Sequence, residues 1–205
     1  DINSQTRTDG RTPLMFAVVI NKPEVVKFIL SIKSVDPTLA TKFDDTALIL
    51  ASAPGFLENV ELLIETCKID INSQNSNGAT ALHNAVINNK IELVKYLLQQ
   101  PEINLQIQDH GKMTPLFRAL FLQHKEVMKI IYDHIEDIKE SSVCDKSSLV
   151  HLAASMNSPE YLDLLINDWK LDVNAENSNC EETPTYTAIK NVCGESLSFL
   201  LKVPG

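Results

Sequence analysis

The sequence contains little glycine, cysteine or tryptophan, and no long hydrophobic run. Its 205 residues include 6 glycines, 4 cysteines and 1 tryptophan. No apolar stretch approaches the roughly 20 residues that cross a bilayer, and no basic flank with an apolar core marks a secretory signal, so we expect no membrane insertion. The cysteines show neither CxxC nor Cys/His spacing, which argues against a zinc site or a disulfide framework. We therefore expect reduced thiols in an intracellular, cytoplasmic protein, with the nucleus left open.

Positive charge is also scarce. The chain has 18 lysines and arginines against 27 aspartates and glutamates, a formal net charge of −9. Such a chain is repelled by a phosphate backbone, and no segment combines basic residues with aromatics as a nucleic-acid groove does. P-loop, dinucleotide, GxSxG and HExxH motifs are all missing. We therefore predict no nucleic-acid binding, no enzyme activity, no cofactor and no bound metal.

A period of about 34 residues runs through the chain. A hydroxyl residue opens an apolar segment six times, in steps of 34, 34, 34, 34 and 35 residues. An alanine follows five residues later and a glutamate twelve residues later in every copy. The six opening residues are Thr12, Thr46, Thr80, Thr114, Ser148 and Thr183. Repetition at a fixed period of this length indicates a stacked repeat architecture.

Each copy predicts two helices joined by a short turn. Threonine or serine is a favourable N-cap, and proline at the next position suits the first helical turn. The recurring glutamate suits the positive end of a second helix. The turn between them mostly has a residue that tolerates the left-handed conformation. These turn residues are Asn21, Gly55, Asn89, Gln123, Asn157 and Val192.

The five letters DINSQ occur twice, at residues 1–5 and 70–74. In the second case they form the closing turn of a copy, 24 residues after its opening threonine. We therefore interpret residues 1–5 as the end of a preceding repeat, and the chain as an excerpt from a longer array.

The segments Thr12–Ala17 (TPLMFA), Thr80–Ala85 (TALHNA) and Leu171–Ala175 (LDVNA) resemble the ankyrin repeat. This resemblance implies an all-α ankyrin-repeat solenoid of six stacked helix-turn-helix units with β-turn, hairpin-like connecting loops. It implies one domain over residues 1–205, with repeats at about 6–39, 40–73, 74–107, 108–141, 142–176 and 177–205. The unit is one residue longer than the usual 33.

Two histidines invite a metal hypothesis. His83 and His151 occupy the same position in copies two units apart. Helix layers stack about 8–10 Å apart, so these side chains cannot share an ion. We predict instead that each makes a structural hydrogen bond to a neighbouring loop.

Four carboxylates recur at helical spacing in the fourth copy, at Asp133, Glu136, Asp137 and Glu140. They share one face if the second helix extends that far. Such a face is either a docking patch for a basic peptide or a solvated surface, and we favour the solvated surface.

The resemblance places partner-specific residues on a concave face, just before the threonine and seven or eight residues after it. Several of these positions are unusually apolar here, which is typical of interaction sites. Packing between repeats is the alternative, and both interpretations stay open. The candidate partner-binding residues are Phe43, Ile87, Met113, Arg118, Phe121, Leu122 and Met156.

The sequence thus predicts a monomeric, noncatalytic scaffold that binds another protein or a peptide segment on its concave face. The alternative is a regulatory or targeting module of a larger enzyme or channel. A third hypothesis makes turn asparagines such as Asn174 substrates for hydroxylation, because the resemblance extends to turns of that kind.

Overall fold

The computed structural model describes residues 1–67, 69–135, 149–177 and 182–203. Over these ranges the chain is helical, with twelve α-helices, one π-helical turn and a single isolated bridge between Ala40 and Thr46. The all-α prediction is confirmed. The predicted cap Ser148, the carboxylates Glu136, Asp137 and Glu140, and the thiols Cys144 and Cys180 lie outside the described residues.

The helices follow one another as pairs, as the period predicts. In this description the first helices are those that begin after the recurring threonine or serine, and the second helices are those that follow them. The first helices are α1 (Pro13–Val19), α3 (Ala47–Ser52), α5 (Ala81–Ile87), α7 (Pro115–Phe121), α9 (Leu149–Ser155) and α11 (Pro184–Lys190). The second helices are α2 (Pro23–Leu30), α4 (Leu57–Thr66), α6 (Ile91–Leu98), α8 (Lys125–Asp133), α10 (Pro159–Asp163) and α12 (Gly194–Leu200).

Threonine caps begin four of the first helices. The hydroxyl oxygens of Thr12, Thr46, Thr80 and Thr183 each accept a 3.3 Å hydrogen bond from the backbone N–H three residues later. This satisfies one of the donors that a helix N-terminus otherwise leaves unpaired. Thr114 has the same extended backbone, but its side chain makes no capping hydrogen bond. The capping prediction is therefore confirmed at four positions and wrong at Thr114.

The turns inside the pairs adopt the left-handed conformation, as predicted. The backbone φ angle is 52° at Asn21, 53° at Asn89, 52° at Asn157 and 81° at Gly55. Val192 takes the same conformation with φ 58°, although a β-branched residue is strained there. The turn geometry is thus imposed by the helix pair, even where the residue does not favour it.

The repeated DINSQ segments make the same hydrogen bonds. The Asn3 side chain donates to Ser34 O (2.7 Å) and accepts from Asp36 N (2.8 Å). One copy of the segment later, the Asn72 side chain donates to Glu102 O (2.7 Å) and accepts from Asn104 N (2.9 Å). These bonds join each connecting loop to the next one.

The chain divides into two compact units, residues 1–110 (unit 1) and 111–205 (unit 2). In unit 1, α1 packs on α3 and α3 on α5, while α2 packs on α4. In unit 2, α7 packs on α9 and α9 on α11. The recurring alanines are buried in both units, at Ala17, Ala51, Ala85, Ala119, Ala153 and Ala188. Since alanine is small, the first helices approach each other closely along these positions.

Helix α10 continues into a π-helical turn over Leu164–Asp168. This wider turn ends where Trp169 N donates to Leu164 O at 3.0 Å. The Trp169 ring stacks on Tyr132 with 3.4 Å between ring centroids and 15° between planes. The stack joins the ends of two second helices in unit 2.

Candidate functional site

None of the seven candidate binding side chains is buried. Phe43 is 62% exposed and Phe121 45% exposed, and Ile87 is also exposed. The other four, Met113, Arg118, Leu122 and Met156, are half-buried. Phe43 and Ile87 belong to unit 1, and the other five belong to unit 2. Partner binding by these residues stays a prediction.

In unit 1 the loop before α3 presents Phe43. The Phe43 N–H donates to Thr41 Oγ1 (3.2 Å), and Phe43 O accepts from Ser76 N (2.9 Å), so both neighbours hold its backbone. Ile87 ends α5. Sequence reasoning left out of the candidate set two further exposed apolar side chains, Phe16 and Ile20, at the first pair of helices. Their signal was available, because they lie four and eight residues after Thr12.

Unit 2 contains a cleft of about 320 Å³ between its first helices. Its apolar wall consists of Met113, Phe117 and Leu152, and its polar end includes Glu182 and Lys190. Ser155, Thr187, Asn191, Asn177 and His151 complete the lining. Of the candidate residues, only Met113 lines this cleft. Phe121 lies one turn after Phe117 on α7, at the repeat position that Ser155 and Lys190 occupy on α9 and α11.

An ion pair closes the polar end of the cleft. Lys190 Nζ lies 2.9 Å from Glu182 Oε1. The two partners differ in accessibility, since the Glu182 side chain is 17% exposed and the Lys190 side chain 57%. The fold therefore shields the carboxylate and presents the ammonium group to solvent.

His151 forms part of the cleft floor. Its Nε2 lies 2.8 Å from Glu182 O, which an Nε2–H tautomer makes a donated hydrogen bond. Burial lowers the pKa of His151 below its ordinary value, although the hydrogen bond to Glu182 O and the Glu182 carboxylate oppose this shift. The neutral ring is therefore favoured at neutral pH. The prediction of a hydrogen bond to a neighbouring loop is confirmed for His151.

His83 has a different structural role from the one predicted. Its Nδ1 lies 2.9 Å from Thr80 Oγ1, and Thr80 N donates to Nδ1 at 3.3 Å. These contacts lie within its own repeat and complete the cap of α5. Among the residues that the structure describes, no group of three His, Cys, Asp or Glu side chains could hold a metal ion.

Charge is segregated between the helices of unit 2. The described first helices α7, α9 and α11 carry Arg118 and Lys190 but no carboxylate. The second helices and the π turn carry Glu126, Asp133, Glu160, Asp163, Asp168 and Glu195, against two lysines. The described first helices of unit 1 have no charged residue at all. The cleft side of unit 2 therefore presents positive charge in a chain that is negative overall.

Within the described ranges, no helix is both long enough and apolar enough to cross a membrane.

A family model described as ankyrin repeats (3 copies) matches residues 1–75 and 48–142. Alpha-latroinsectotoxin-Lt1a of Latrodectus tredecimguttatus is 36% identical over 100 residues, which is 49% of this chain and 7% of that protein. The human transient receptor potential cation channel subfamily A member 1 is 34% identical over 123 residues, 60% of this chain and 11% of that protein. The chain thus spans about a tenth or less of these relatives.

Solved structures with the same fold cover nearly the whole chain. The ankyrin repeat domain of Bcl-3, an IkappaB family member, aligns over 98% of this chain and 86% of its own, with a TM-score of 0.82 and 21% identity. A chain from the complex of the Bdellovibrio bacteriovorus predatory endopeptidase Bd0816 with immunity protein Bd3460 aligns over 98% and 100%, with a TM-score of 0.79 and 20% identity. At these identities the likeness shows the fold.

Proposed function

Because the chain belongs to the ankyrin-repeat family, whose repeats generally mediate protein–protein interaction and are typically noncatalytic, we propose that it is a binding scaffold. It holds a partner protein or peptide segment on the face formed by its first helices and the loops before them. This chain acts as a monomer and performs no catalysis. A cytoplasmic location fits this role and stays a prediction.

The observation that carries this proposal is the exposure of Phe43 and Phe121. Each unit presents one phenylalanine, 62% and 45% exposed respectively, beside a first helix. Leaving such a side chain in water forgoes about 1–2 kcal/mol of burial free energy. Aromatic residues are enriched in the cores of protein interfaces, where that free energy is recovered on binding.

The rigidity of the face also favours binding. The helix pairs are joined by loop hydrogen bonds such as those of Asn72, and four of the first helices carry a threonine cap. A preorganised surface loses little conformational entropy when a partner binds, so more of the contact free energy appears as affinity.

A second function is a regulatory or targeting module within a larger protein. The low share of the relatives that this chain spans, 7% and 11%, favours it. Such a module uses the same face, but its partner is another domain of the parent protein.

The test is capture of partners from native lysate by the wild-type chain and by Phe43→Glu and Phe121→Glu variants. We expect each variant to lose bound proteins, because a charge replaces an apolar anchor. The matched control is Phe28→Glu, since Phe28 is 67% exposed on the second helix α2. Capture should survive in the control, and all three variants should melt near the wild-type temperature.

Equal loss of capture in the control would show a nonspecific hydrophobic effect. Unchanged capture by Phe43→Glu and Phe121→Glu would contradict the proposed face. Capture lost together with a large fall in melting temperature would show that these side chains are structural.

A further inference from the structure

We propose that the cleft of unit 2 selects an extended acidic peptide, with an apolar side chain at the α7 end and a carboxylate at the α11 end. This inference rests on the proposed function and adds the chemistry of the partner. It follows from the placement of apolar and charged side chains along the three first helices.

The apolar end lies on α7 and α9. Met113, Phe117 and Leu152 form the cleft wall there, and Phe121 projects beside it with 45% of its surface exposed. An apolar side chain of a partner that enters this end covers Phe121 and removes its own surface from water.

The charged end lies on α11. Lys190 presents its ammonium group to solvent, while Glu182, its ion-pair partner at 2.9 Å, is mostly shielded. Arg118 on α7 adds a second cation, and no carboxylate occurs on the described first helices of this unit. A partner carboxylate is therefore attracted by the accessible charges, and a partner ammonium group is repelled.

The distance between the two ends fixes the form of the partner. Two helix spacings of about 8–10 Å separate α7 from α11, which is about 16–20 Å. An extended chain rises about 3.3 Å per residue and crosses this distance in five or six residues. A helical segment of the same length rises only about 8–9 Å, so it does not join the two ends.

The acidic second helices make this specificity local. The net charge of −9 repels an acidic partner at long range, but such repulsion between exposed charges is screened beyond about 8–10 Å at physiological salt. Short-range attraction by Lys190 and Arg118 then decides which peptide stays bound. We expect binding to weaken as salt is raised.

The experiment is selection of a displayed library of random 12-residue peptides on the full 205-residue chain. We expect the selected peptides to carry an aromatic or aliphatic residue and an Asp or Glu five or six positions apart. Synthetic copies are then measured by fluorescence anisotropy against the wild type and its variants.

The decisive variant is the double charge swap Glu182→Lys with Lys190→Glu. It retains the ion pair, the net charge and the backbone acceptor of His151, but it reverses the exposed charge. We expect about tenfold weaker binding of the acidic peptides and selection of basic ones instead. If the swap does not fold, Lys190→Gln serves as the second variant and should weaken the same peptides several-fold.

The outcomes separate this inference from the proposed function. Peptides that need Phe121, as shown with Phe121→Ala, but have no excess of carboxylates would overturn the acidic specificity and leave the binding face intact. Binding that is insensitive to Phe121→Ala, or no selected peptide at all, would overturn both. Affinity unchanged by the charge swap would also refute the assigned roles of Lys190 and Glu182.

Discussion

The substitution Val192→Asn should stabilise the protein. Val192 has φ 58° in the turn before α12 and is 90% exposed. The left-handed conformation costs an ordinary residue roughly 1–2 kcal/mol, and a β-branched residue is strained further, whereas asparagine adopts it more readily. The valine side chain contributes little burial that could be lost. We therefore expect the free energy of unfolding to rise by about 1 kcal/mol.

The assay is urea unfolding followed by far-ultraviolet circular dichroism, supported by thermal melts. A gain of about 1 kcal/mol raises the melting temperature by about 2–4 °C in a chain of this size. Because repeat proteins can unfold from one end, amide hydrogen exchange in α11 and α12 should show the same gain locally.

Two controls separate backbone strain from surface polarity. Ile189→Asn makes a similar polarity change at an exposed position of α11, where the backbone is helical, and should give no gain. Asn89→Val introduces the strained residue at the equivalent turn, where φ is 53°, and should cost about 1 kcal/mol. A Val192→Asn variant no more stable than wild type would refute the strain argument.

Two further predictions concern buried polar groups. Asn59 is fully buried, its Oδ1 has no hydrogen-bond partner, and its Nδ2 makes two bonds of 3.2 Å, so Asn59→Leu should raise the free energy of unfolding by about 1 kcal/mol in urea melts. A fall instead would show that the two bonds outweigh the unpaired oxygen. The lowered pKa of His151 means that the unfolded chain binds its proton more readily, so this group's contribution to stability is full above about pH 6.5 and is lost as the pH falls through the folded pKa. His151→Gln keeps a donor for Glu182 O and should lose less stability than wild type between pH 7 and pH 5; equal losses would contradict this assignment.

The repeated helix pairs were predictable because their signals are local and occur six times. A threonine cap acts on a backbone N–H three residues away, and a left-handed turn is set within a few residues. Such signals do not depend on which helices come together. Even so, Thr114 makes no capping bond, although its sequence context matches that of Thr12. The π turn at Leu164–Asp168 had no recognised signal either.

The candidate site was less predictable, because exposure depends on neighbouring helices. Phe117 and Phe121 lie one turn apart on α7, yet Phe117 is buried in the cleft wall and Phe121 is exposed. The sequence placed Phe121 in the candidate set but had no means to find the cleft, since its lining comes from three helices and two loops.

The sequence by itself determined the period, the alternation of first and second helices and the left-handed turns, because these follow from interactions within about five residues and from repetition. The tertiary structure alone decided that Glu182 is shielded while Lys190 is exposed, and that His151 is held neutral beneath them. Those properties arise when α7, α9 and α11 pack side by side, because burial and pairing are set by groups distant in the chain.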